Sequence, residues 1–176
     1  MVTLGIDPGL SLTGYAAIRA DSLGVGELKI VEAGVFRFDR RQLIPIRLAE
    51  LERDLTALIE RTGPGCICVE SLFAHFGHPR TAIIMAHARG VILLTAAKHR
   101  LPLVEISPAT VKKAVTGNGR ATKAQVQYAV ATVLGLASLP QPADVADAIA
   151  VAMCGSRRYA GVVVEGGVAE RQRKKK

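Results

Sequence analysis

The chain has 176 residues, 49% of them hydrophobic, which is enough to bury one substantial core and too few for two ordinary domains. Its 23 Lys and Arg against 15 Asp and Glu give a net charge of +8, yet five of those basic residues follow Glu170, and without them the balance is 18 against 15, or +3. No charged leader with an apolar run opens the chain, the most apolar stretch, around 82–97, is interrupted by His87 and Arg89, and Cys66, Cys68 and Cys154 lack zinc-like spacing; the expectation is a cytoplasmic protein with reduced thiols and no membrane segment.

In chain order, an apolar strand is predicted over 2–7, ending in Asp7, with "PGLS" as the following turn. Strands over 13–20 and 29–38 follow, joined by a Gly-containing stretch, which suggests an antiparallel meander. From 43 to 61 the period changes: Leu48, Leu51, Leu55, Leu58 and Ile59 recur at helical spacing, and "TGPG" ends the helix. "CICVE", 66–70, is a second apolar strand that closes on an acid, Glu70. A helix over 80–99, a strand in "LPLVEIS", a short helix over 108–115, a glycine loop "TGNGRA", a helix over 122–134 and a last helix from 142 or 143 to about 157 complete the order. This order predicts an α/β fold with a mixed five-stranded sheet, an antiparallel meander and then parallel strands, with helices on both faces. The expected organisation is one domain over 1–157 and a basic, flexible tail over 158–176.

Sites in such sheets gather at the carboxyl ends of parallel strands, where Asp7 and Glu70 are both placed. Asp144 and Asp147, three apart in "ADVADAIAVAM", share one face of the last helix near its start. Taken alone, that pair reads as an acidic first turn serving the helix dipole. Four carboxylates on one small domain repel one another unless a cation sits among them, and oxygen-only ligands suit hard cations such as magnesium or manganese. Two such ions serve phosphodiester hydrolysis. From Ser71 to Ala143 the only acid is Glu105, against Arg80, Arg89, Lys98, Arg100, Lys112, Lys113, Arg120 and Lys123. That basic region would bring in a phosphate backbone the acids alone would repel.

The segments "GIDPGLSLTGYAAI", "CICVESLF", "AHARGVILLTAA", "PATVKKAVTGNGRATKAQVQYAV" and "PADVADAIAVAM", in this order and spacing over about 3–154, resemble RuvC-type Holliday junction resolvases of the ribonuclease H and integrase fold superfamily. The resemblance implies a ribonuclease H-like fold and a homodimeric, metal-dependent endonuclease that nicks two strands of a four-way DNA junction symmetrically. It also implies 5′-phosphate and 3′-hydroxyl ends, roles in recombination and repair, and a branch-migration helicase complex as a possible partner. Asp7, Glu70, Asp144 and Asp147 match the family's metal-binding carboxylates, with two Mg2+ ions expected per site and Mn2+ able to substitute. Lys112 and Lys123 match its two lysines near the scissile phosphate, Phe73 matches an aromatic that stacks on bases opened at the crossover, and Lys113 and Arg120 join the expected DNA-binding set. The helix "RTAIIMAHARGVILLTAAKHR" is apolar over nearly its whole circumference, more than one sheet face can cover, which fits a two-fold partner.

The stretch "FAHFGHP" departs from the family pattern by adding Phe76 with His75 and His78. The histidines are spaced to bind a metal, but loop histidines over a DNA groove are the preferred reading. Sugar kinases, actins and Hsp70-type ATPases share the opening strand and turn, but need two such domains to enclose a nucleotide. A fold of this type that binds structured DNA or RNA without cutting, or a nuclease for another branched DNA or RNA, are the remaining alternatives.

Overall fold

The computed structural model describes residues 1–20, 27–71 and 79–164. β1 (Val2–Asp7), β2 (Leu12–Arg19) and β3 (Lys29–Arg37) form the antiparallel meander. α1 (Ile44–Thr62) then leads to β4 (Cys66–Glu70), which pairs parallel to β1. α2 (Pro79–Lys98) leads to β5 (Leu103–Ile106), parallel to β4. The sheet order is β3-β2-β1-β4-β5, so β1 and β4 lie near the middle. α3 (Pro108–Thr116), α4 (Lys123–Val133) and α5 (Ala143–Val164) complete the chain.

The expected mixed sheet with helices on both faces is the observed one, and most element ends fall within one residue of their predicted positions. α5 differs most, continuing to Val164 rather than stopping near Arg157. No proline and only Gly161 interrupt the helical propensity of 158–164, so nothing local ends the helix at the drawn boundary.

Period-two alternation sorts the strand residues between two cores. Val2, Leu4, Ile6, Ile67 and Val69 join Leu51, Leu55 and Leu58 of α1 and Ala88 and Ile92 of α2 on one face. Cys66 and Cys68 turn the other way, into a core shared with α3, α4 and α5. α2 is long and apolar enough to cross a bilayer by composition. Its residues Ala88, Ile92, Thr95 and Ala96 are buried, the three apolar ones in the core on this face of the sheet, while only 22% of its apolar window is buried.

α5 rests directly on the strands. A side chain at Gly5 would run into the backbone of Ala148 and Ala152, and one at Gly14 into the carbonyl of Asp144. Glycine at these two places sets the height of α5 above β1 and β2.

Candidate active site

The alternation that buries Leu4 and Ile6 beneath the sheet turns Asp7 toward α5. Parallel pairing of β1 with β4 runs from Thr3 opposite Cys66 to Ile6 opposite Val69, so the next step sets Asp7 beside Glu70 at the carboxyl end of both strands. On α5, Asp144 and Asp147 lie on the stripe that continues into Ala148 and Ala152, the residues seated over Gly5. The contact at Gly5 therefore brings the two helix carboxylates over the two strand carboxylates.

The result is one cleft of about 620 Å³ whose lining includes Asp7, Glu70, Asp144, Asp147, Lys112 and Lys123. The turn after Asp7 is held from below. The Thr13 hydroxyl donates to the Gly9 carbonyl and accepts from the Gly9 N–H, and the buried Arg47 donates from Nη1 to the Leu10 carbonyl at 3.0 Å.

Lys112 and Lys123 reach the cleft from different helices. Ser107 caps α3, accepting from the Thr110 N–H, and Pro108 opens it, which sets Lys112 in its second turn. Thr122 and Gln125 form a reciprocal capping box at the start of α4, leaving Lys123 as the first helical residue. A cation at that position opposes the helix dipole, and the compensation lies across the cleft: Lys123 Nζ is 3.1 Å from Asp147 Oδ2.

Crowded carboxylates leave an electrostatic mark. Asp7 still meets solvent through the cleft, but protein surrounds most of it. Desolvation first, and then the negative charges of Glu70, Asp147 and Asp144, push its pKa up to about 8 against the opposing pull of Lys123. Glu70 is raised for the same reasons, burial and then Asp147, with Lys123 and Lys112 pulling the other way. Burial pulls the Lys123 ammonium down, but Asp147 with Asp7 and Asp144 more than reverses this, so its pKa is raised. Among the described residues no three acid, histidine or cysteine side chains stand close enough to ligate a single ion. Lys123 neutralises one of the four carboxylates, Asp147.

This donor set fits hard divalent cations: it is all oxygen, four carboxylates outnumber the cleft's three cationic side chains, Arg40, Lys112 and Lys123, and the pull of Lys123 does not offset the burial and repulsion at Asp7. Lys113 is exposed on a neighbouring shallow groove with Thr110, Gly119 and Arg157, and Arg120 lies on the α3–α4 loop, where its N–H donates to Asn118 Oδ1; neither lines the cleft. Phe73, His75, Phe76 and His78 fall outside the described residues. Sequence reasoning missed Thr13, Arg47 and Arg40. A threonine and an arginine in apolar surroundings were the available signals for the first two, and the "RR" at 40–41 for the third.

A family model described as crossover junction endodeoxyribonuclease RuvC matches residues 3–155. The chain belongs to the RuvC family. A RuvC from Rhodopirellula baltica is 47% identical over 152 residues, covering 86% of this chain and 84% of that protein. One from Syntrophomonas wolfei is 42% identical over 159 residues, covering 90% of each. Among solved structures, Thermus thermophilus RuvC in complex with Holliday junction substrate superposes with a TM-score of 0.84 at 25% identity, covering 92% of this chain and 96% of that one. The fold is therefore that of RuvC, a ribonuclease H-like fold, as the resemblance implied.

Proposed function

We propose that this RuvC-family chain is a crossover junction endodeoxyribonuclease that resolves four-way DNA junctions by metal-dependent hydrolysis at the Asp7, Glu70, Asp144 and Asp147 cleft. The observation that carries this reading is the gathering of four carboxylates and two lysines in one cleft, at the carboxyl ends of β1 and β4, in a chain of this family.

Asp7 and Glu70 stand on two hydrogen-bonded strands, so their separation is set by the sheet and changes little. Asp144 and Asp147 close the site from α5. When bound, two divalent ions, Mg2+ with Mn2+ as a substitute, would supply Lewis-acid stabilisation of the scissile phosphate and lower the pKa of a water. Lys112 sets its charge near Glu70 and would steady the negative charge that builds on the phosphate oxygens. Lys123 is 70% exposed in its ion pair, on a flexible stem, and is free to exchange Asp147 for a phosphate oxygen. Attack by water on phosphorus leaves a 5′-phosphate and a ligatable 3′-hydroxyl.

A two-fold junction calls for two such sites. On α2 the large side chains of Ile83 and Leu94 are 57% and 58% exposed although the helix is mostly apolar, which supports a homodimer formed across this face.

The test is a cleavage assay on end-labelled synthetic four-way junctions beside plain duplex, with Mg2+ and with chelator. Paired symmetric nicks on the junction alone, which ligase can seal and chelator abolishes, are the expected outcome. Binding without cutting in any divalent metal overturns the catalytic reading, and ends that ligase cannot seal overturn the product assignment.

A further inference from the structure

Of the basic residues named from the sequence, Lys112, Lys113, Arg120 and Lys123 lie on α3, on α4 and on the loop between them, and Lys112 and Lys123 line one flank of the cleft. The opposite flank, on the β3 side, carries a second basic group. Arg40 follows β3 and lines the cleft together with Asp7, Gly9, Ser11 and Leu12. Arg37 ends β3, where it pairs with Leu12.

Register places Arg37 with respect to the carboxylates. Asp7 pairs with Gly14, and Gly14 with Val35, two residues before Arg37 and so on the same side of the sheet. Val35 packs in the α5-side core, and the Asp144 backbone covers Gly14. Arg37 therefore emerges on the face that carries Asp7, just past the start of α5.

Both arginines are exposed, and neither takes part in an ion pair within the described residues. The one acid between them, Asp39, is engaged on both carboxylate oxygens by Arg41, at 3.0 and 2.7 Å. Two positive charges beside a cleft of carboxylates are thus left uncompensated. An exposed guanidinium with no carboxylate partner is suited to bidentate contact with a phosphate.

We propose that Arg37 and Arg40 form a second phosphate-binding arm, which holds the nucleic-acid backbone on the β3 flank while Lys112 and Lys123 hold it on the other. The scissile phosphate is then suspended across the carboxylates between two cationic supports. The inference rests on the reading of the cleft as a DNA-cutting site and adds to it residues outside the basic region of 71–143. Such contacts are insensitive to base sequence, so the arm sets position and affinity.

The test measures junction binding against salt concentration, using full-length Asp7→Asn as the common background and a synthetic four-way junction as the probe, with cleavage by the unaltered chain run in parallel. Each phosphate contact contributes about one unit to the slope of log affinity against log salt. Arg37→Ala with Arg40→Ala is expected to reduce the slope by about 2 and weaken binding several-fold at moderate salt. Arg37→Lys with Arg40→Lys should restore most of the slope. Arg19→Ala, which removes an exposed arginine from the opposite end of β2, should leave it unchanged. An unaltered slope in the double alanine variant, while the unaltered chain cuts junctions, overturns the arm and leaves the function standing. An equal loss in Arg19→Ala reduces the effect to net charge and also overturns it. If the unaltered chain does not bind the junction at any salt concentration, the function falls and the arm with it.

Discussion

The two faces of the sheet are built from different materials. On the α1 and α2 side the core consists largely of Leu, Ile and Val, among them Leu4, Ile6, Leu51, Leu55, Leu58 and Ile67. On the α5 side Val and Ile are still present, but where α5 meets the central strands the contact is made by small residues, with Ala148, Ala152 and Cys154 over Cys66, Cys68 and the bare backbone of Gly5 and Gly14. Large aliphatic side chains give the most burial per residue and tolerate some rearrangement. Small ones leave little room for adjustment, so the helix seated on them has a single height and rotation. The face that must position Asp144 and Asp147 is the one with no slack. Stability and positioning are thereby assigned to opposite sides of one sheet, and substitutions on each side should separate them.

The largest effect is expected at the site. Asp7→Asn should lower cleavage by more than about 100-fold, beyond what loss of a residue that merely supports a metal ligand produces, while junction binding persists. The same change should stabilise the metal-free protein. Asp7 holds its proton up to about pH 8 when folded, against the ordinary 3.8 of an aspartate, so the stability its proton provides is complete below about pH 4 and is lost as pH rises through about 8. In chelator, Asp7→Asn should therefore melt above the unaltered chain at pH 8, by a margin that shrinks toward pH 5. Thermal melts at the two pH values decide this, and a margin independent of pH contradicts it.

Leu55→Ala on the α1 side should reverse the pattern. Leu55 is fully buried, so the cavity should cost about 2–5 kcal/mol of stability in denaturant melts. Cleavage by the fraction still folded should stay within about twofold of normal. Gly5→Ala adds one methyl group on the other side. It would meet the backbone of Ala148 and Ala152, forcing α5 away from β1 at a cost of about 1–3 kcal/mol, and it should lower kcat because Asp144 and Asp147 move with the helix. If Leu55→Ala impaired kcat as much as Gly5→Ala does, the separation of roles between the faces would fail.

Much of this division can be read in the sequence, for an identifiable reason. Helical spacing of Leu48, Leu51, Leu55, Leu58 and Ile59, and two apolar strands that each end in an acid, are periodic or terminal signals, and periodic signals survive in one dimension. The carboxylates of the candidate site were therefore found before the fold. What could not be read was set by contacts between distant segments. Arg40 comes to the cleft only because β3 lies two strands from β1, and Lys113, next in sequence to Lys112, leaves the cleft because neighbours on a helix point apart. Gly5 and Gly14 look like ordinary strand glycines until the backbone of α5 is found against them. α5 continues to Val164, past the expected end near Arg157, because no proline stops it there.

The smallest effect tests the one place where the aliphatic face bears on the chemistry. Thr13 and Thr95 are both fully buried, and each hydroxyl donates to a backbone carbonyl four residues earlier, Gly9 for Thr13 and Val91 for Thr95. The Thr95 bond lies inside α2 and duplicates what the helix already secures. The Thr13 bond fixes the turn that follows Asp7, whose Leu10 carbonyl is tied by Arg47. Replacing either threonine with valine keeps the shape and removes the hydroxyl's hydrogen bonds, one at Thr95 and two at Thr13, the second being the long one from the Gly9 N–H, each worth about 1 kcal/mol. Thr13→Val should thus melt somewhat below Thr95→Val, by no more than the second bond accounts for. Their cleavage rates should differ, several-fold down for Thr13→Val and unchanged for Thr95→Val, because a loosened turn frees Asp7 from the geometry that β1 and β4 impose. Equal rates would mean that strand pairing alone holds the carboxylate and that the turn contributes only to folding.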